Sequence, residues 1–202
     1  MLQLLGWWGV ITSLFAVMMP VYFARKTVGY SARLHTLSEL GAIDSPNQKA
    51  VSWCYFFPLS IAVLLFVMIG QSSIGWLSQS QWIWGMLGMV AVGYFVAALF
   101  PCDVGSPIGG SVRNQIHNVS GLLEYIGAGS GLILMGVYSD EHVSSPYLNL
   151  YLILSGSVIL LSLSMLLFPA FNRVKGLVQR LAEASFFIWM LTVSLILLLS
   201  NS

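Results

Sequence analysis

The chain is 202 residues long, 57% hydrophobic and only 7% charged, with a formal net charge of +1. Its mean hydropathy of +0.85 excludes an ordinary soluble domain. So thin a basic surplus gives no support to a nucleic-acid or polyanion partner. In chain order, mostly apolar stretches lie near residues 4–22, 51–70, 81–100, 118–138, 147–167 and 184–199. With ends placed to within several residues, each approaches the roughly 17–25 residues that cross a hydrocarbon core of about 30 Å as a helix. The fold class expected is therefore all-α: a polytopic membrane bundle of six transmembrane helices with short loops, forming one domain over residues 1–202.

The first stretch lacks a positively charged leader and meets Arg25 and Lys26 where a cleavage site would need small residues, so it reads as an anchor. The longest connection, residues 23–50, has room for a short interfacial helix and turns. Within it Thr36-Leu-Ser-Glu39 has capping-box spacing, and Ser45-Pro46 reads as an N-cap followed by proline at the first helical position. Basic residues number four in the first loop (Arg25, Lys26, Arg33, Lys49), one in the third (Arg113) and three in the fifth (Arg173, Lys175, Arg180). The second and fourth loops have none. The positive-inside rule then makes the odd loops cytoplasmic and puts both termini, with Asp140 and Glu141, outside a bacterial inner membrane.

Trp7, Trp8, Trp53, Trp76, Trp82, Trp84 and Trp189 fall near span ends and read as an interfacial belt. Met18, Met19, Met86 and Met89 read as lipid-facing or packing residues. The polar residues concentrate between spans three and four, from Phe100 to Glu124. If the fourth helix starts near Arg113, then Asn114, His117, Gly121, Glu124, Ala128 and Gly131 share one face. A carboxylate such as Glu124 is costly in lipid, so it is expected to face the bundle interior, pair or be protonated, in either a functional or a packed, hydrogen-bonded role. Gly121, Gly127 and Gly131 allow close approach of another helix, from this chain or from an oligomeric or heterologous membrane partner. His117 lies about 10 Å from Glu124 along the helix, too far for direct contact. Asp103 follows a proline-marked helix end, where it caps, binds a cation or acts as a base.

Other chemistries find less support. His35, His117 and His142 supply no facing pair for bis-histidine haem. Cys54 and Cys102 form no CxxC and read as buried free thiols, and Cys102, Asp103 and His117 match no zinc spacing. The Asn118-Val-Ser120 sequon sits at a helix mouth, and the Gly105–Gly110 stretch lacks the lysine of a P-loop. No metal and no cofactor are expected.

Three ordered pieces carry a family resemblance: Leu37-Ser-Glu-Leu-Gly-Ala42 with Ser45-Pro-Asn47, Leu99-Phe-Pro-Cys-Asp103 followed by Ile116-His-Asn118, and Gly176-Leu-Val-Gln-Arg180 followed by Trp189. Together they resemble the prokaryotic membrane family called domain of unknown function 998. Cys102 departs from the small polar residue expected between its proline and aspartate. The Ser-Glu-Leu-Gly element is also similar to Frag1/DRAM-type membrane proteins, a likeness too short to transfer a role. The family name implies no reaction, but the resemblance implies a constellation on one side of the membrane. Its catalytic candidates are Glu39, Asp103 and His117, extended inward to Glu124, with Ser38 and Arg180 as head-group contacts. The function expected is binding or modification of a membrane lipid's head group. The alternatives are a structural accessory subunit, with Arg180 paired to Glu39 or Asp103, and a small transporter.

Overall fold

The computed structural model describes residues 1–74, 77, 80–138 and 145–200. It contains six long helices: α1 (Leu2–Lys26), α2 (Gln48–Ser73), α3 (Gln81–Leu99), α4 (Val112–Val137), α5 (Pro146–Leu167) and α6 (Lys175–Leu199). All six are long and apolar enough to span a membrane, where a helix satisfies its backbone groups internally. Among the described residues there is no strand, so the all-α expectation holds. The fourth helix starts at Val112, beside the expected start near Arg113 and ahead of its apolar stretch at 118, and the sixth starts well before its predicted position at 184. Ser111 caps α4 by accepting the Asn114 N–H, and α6 begins at Lys175, inside a run of charges that hydropathy alone reads as a loop.

Each helix packs on the next in the chain, and α6 closes the ring against α1. At the ring's centre the Trp189 ring meets Phe66 at 6.1 Å and Trp84 at 6.4 Å between centroids. Trp84 and Trp189 are fully buried, which corrects their place in the interfacial belt: they are core. Trp7, Trp8, Trp53 and Trp82 are exposed, while Trp76, Asp140, Glu141 and His142 lie outside the described residues. The small face of α4 is turned inward, with Gly127 and Gly131 against Met86 and Leu87 of α3.

Pro20 lies inside α1 and has no N–H for the Ala16 carbonyl, the group one turn earlier. The hydroxyl of Tyr55 donates to that carbonyl at 3.2 Å. Tyr55 sits in a π-helical segment of α2, Ser52–Phe56, whose wider turn brings Tyr55 and Phe56 against Tyr94 of α3.

In the first loop Thr36 and Glu39 form the expected reciprocal cap, around the short turn Ser38–Gly41: Thr36 N–H donates to Glu39 Oε2 at 2.6 Å and Glu39 N–H to Thr36 Oγ1 at 3.3 Å. The Ser45-Pro46 expectation is corrected. The Ser45 hydroxyl donates to the Leu40 carbonyl, and α2 begins only at Gln48, after a further turn. Both cysteines are free as expected, but Cys54 is exposed and only Cys102 is buried.

Candidate functional site

The three sequence pieces meet at one end of the bundle, where the first loop docks on the start of α6. Gly176 makes the docking fit: its N–H donates to the Arg33 carbonyl at 3.1 Å, and a Cβ there would come within 2.3 Å of the His35 carbonyl oxygen. One turn on, Gln179 Oε1 accepts the Leu37 N–H at 2.5 Å. Arg180 donates to the carbonyls of Ala32 at 2.8 Å and His35 at 3.0 Å, and to the Tyr30 hydroxyl at 2.5 Å. It thus pairs with neither Glu39 nor Asp103. Those carboxylates take other cations: Lys175 Nζ lies 3.1 Å from Glu39, and Arg113 lies 3.1 Å from Asp103.

The loop between α3 and α4 is built around Asp103. Its carboxylate accepts the Ser111 N–H at 2.7 Å and the Ser111 hydroxyl at 2.8 Å. Those two bonds, with Arg113 beside them, hold the Asp103 carboxyl below the usual aspartate range. Asn114 accepts the Asp103 N–H at 2.9 Å and donates to the carbonyls of Pro107 and Gly109. Cys102 reaches the first loop, its thiol donating to the Ser38 carbonyl at 3.4 Å, and burial pushes that thiol up to about 12. A thiol so held is packing, not a nucleophile.

His117 joins both loops. Its Nδ1 lies 2.9 Å from the Phe100 carbonyl and its Nε2 lies 3.0 Å from Ser38 Oγ. A carbonyl only accepts, so in the neutral ring Nδ1 carries the proton and Nε2 accepts the Ser38 hydroxyl. Cys102, Asp103 and His117 therefore turn to different partners, and among the described residues no three His, Cys, Asp or Glu side chains are placed to hold a metal ion.

Below His117 the bundle interior is polar. Glu183 of α6, one residue before the predicted span, accepts the Tyr94 hydroxyl at 2.7 Å and the Tyr125 hydroxyl at 2.8 Å. Glu124 is buried as expected and rests on the backbone of α3 at Gly93, where a Cβ would lie 2.0 Å from its Oε2. Both carboxyl groups face a cavity of about 40 Å³. Outside it opens a cleft of about 800 Å³. His117, Ser38, Lys175 and Gln179 form its polar wall, and Leu122 of α4 with Leu163 and Leu166 of α5 its apolar wall. Arg180 lines neither space.

Tyr94, Tyr125 and Glu183 were not singled out from the sequence, and Lys175 and Gln179 only as a topology signal and as part of the last family piece. A signal for three of them was present: Lys175, Gln179 and Glu183 recur at helical spacing on one face.

A ring of six membrane-length helices, with a polar chamber at one end, defines a polytopic membrane protein. A family model described as "Protein of unknown function (DUF998)" matches residues 10–196, and the chain belongs to that family. No curated protein and no solved structure matches it.

Proposed function

We propose that the protein binds a membrane lipid in the cleft between α4, α5 and α6, with the head group against Ser38, His117, Lys175 and Gln179. The observation that carries this reading is the change of wall along one continuous space, from hydroxyl, imidazole, ammonium and amide to Leu122, Leu163 and Leu166. Acyl chains gain little from leucine walls over the surrounding bilayer, because both are equally apolar. Selectivity therefore rests on the head group, where the Lys175 ammonium, shared with Glu39, supplies a donor and the Ser38 hydroxyl, oriented by His117, an acceptor.

The basic residues gather at the same end as the cleft, which by the positive-inside rule puts the head-group site on the cytoplasmic side and the N terminus outside. A lipid carrying a photoreactive group in its acyl chain tests the binding reading. Adducts should concentrate on the segments holding Leu122 and Leu163; adducts spread evenly over the outer helix surfaces would overturn it.

The structural alternative has its own support in Arg180, whose bonds hold the first loop to α6 without touching the cleft. In that reading Lys175 and Glu39 serve only to fasten the loops. Lipid retention and thermal stability then fall together in every variant of the cleft, whereas a binding site separates the two.

A further inference from the structure

We infer that the lipid held in the cleft carries a primary ammonium, which enters the inner cavity between Glu124 and Glu183 while its phosphate stays with the donors of Lys175 and the Gln179 amide. The head group is thus of the phosphoethanolamine type. This rests on the lipid-binding reading above and names its ligand class.

Glu124 supplies the first observation. It is only 8% exposed, it lines the cavity, and no hydrogen bond from a described residue reaches its carboxylate. Ionised and unpartnered, a carboxylate there costs several kcal/mol, a cost that either a proton or a bound cation removes. Glu183 differs: two tyrosine hydroxyls fix it, and its remaining lone pairs stay free for a third donor.

The two spaces adjoin. Ser38, His117, Gly121, Tyr125 and Gln179 line both, and beside Gly121 no heavy atom lies within 4 Å of where a Cβ would stand. A ligand passing this glycine meets first Lys175, whose ammonium bonds Glu39 and the Gly105 carbonyl and keeps a third N–H to donate, and second the glutamates. That order matches a zwitterion whose phosphate precedes its amine. The helical rise of about 10 Å between His117 and Glu124 suits such a head group hydrogen-bonded at both ends.

Size sets the remaining selectivity. A cavity of about 40 Å³ holds a group the size of a water molecule. An ammonium fits and donates three hydrogen bonds, but a trimethylammonium is larger and donates none.

Native mass spectrometry of the purified full chain tests this with equimolar, chain-matched phosphatidylethanolamine, phosphatidylcholine and phosphatidylglycerol. Phosphatidylethanolamine should be retained about tenfold over phosphatidylcholine, with the mono- and dimethylated head groups between them. Glu124→Gln and Glu183→Gln should each bring that ratio near one. Equal retention of all lipids by the unaltered protein would overturn this inference while leaving lipid binding intact. Retention of none would overturn the lipid-binding reading itself. An undiminished preference in both glutamine variants would remove the carboxylates from the site, and if neither variant folds, the methylation series in the unaltered protein decides.

Discussion

Ser38 Oγ lies 3.0 Å from His117 Nε2, although the two residues are 79 positions apart in the chain. The bond joins the first loop to α4, and because the Phe100 carbonyl takes the other ring nitrogen, the imidazole has one orientation and one tautomer. The two ends of this link should differ in cost. His117→Ala leaves both the Phe100 carbonyl and the Ser38 hydroxyl without a partner and should destabilise by about 1–3 kcal/mol. Ser38→Ala leaves Nε2 facing a polar cleft and should cost about 1 kcal/mol or less. Thermal unfolding in one detergent compares them, and the reverse ranking would contradict this geometry.

Tyr55 and Pro20 should be energetically coupled. Tyr55→Phe leaves the Ala16 carbonyl unpaired and should cost about 1–3 kcal/mol. In a Pro20→Ala background the helix supplies that carbonyl with an N–H, so the cost should shrink to a fraction of a kcal/mol in a double-mutant cycle. Additive effects would show that the tyrosine hydroxyl does not replace the missing bond.

Much of this architecture was legible in the sequence, and what was missed has a physical reason. Hydropathy located every span because lipid admits only apolar helices here. The face Asn114, His117, Glu124 was legible because a polar stripe at helical spacing must turn inward. Glu183 was not, since Lys175 and Arg180 made the predicted span begin too late in the chain. In the structure Lys175 is matched by Glu39 and Arg180 by loop carbonyls, so the helix runs through them. Trp84 and Trp189 were misplaced because position near a span end does not say which side of the helix an indole occupies.

Asp103 should confer an acid-side stability dependence. Its carboxyl is held below the ordinary value of 3.8 by the Ser111 N–H, the Ser111 hydroxyl and Arg113. The contribution is therefore full above that ordinary value and is lost as pH falls through the lower, folded-state value. Melting temperatures measured downward from about pH 5 should decline in the unaltered protein and decline less steeply in Asp103→Asn. Parallel curves would contradict this assignment.

The cysteines should separate by reactivity. Cys54 is exposed, whereas Cys102 is buried with its thiol pushed up to about 12. N-ethylmaleimide should modify Cys54 in the folded, detergent-solubilised protein and Cys102 only after unfolding. Prompt double labelling would show that the contact between the two loops opens readily.

Orientation is open to a similar label. With the native cysteines replaced, Val28→Cys in the first loop and Tyr147→Cys at the start of α5 are both well exposed positions. An impermeant thiol reagent added to intact cells should modify Tyr147→Cys and spare Val28→Cys. The opposite pattern would put the cleft on the outer side.

Lipid binding in the cleft is tested most directly at Gly121, where an added side chain would project into open space. Gly121→Leu should fill the cleft without disturbing packing, and replacing a mid-helix glycine should leave stability unchanged or raise it by up to about 1 kcal/mol. Native mass spectrometry should then find retained lipid reduced at least about tenfold in a protein that melts no lower than the original. Lipid retained at the original level by a folded Gly121→Leu variant would contradict the account.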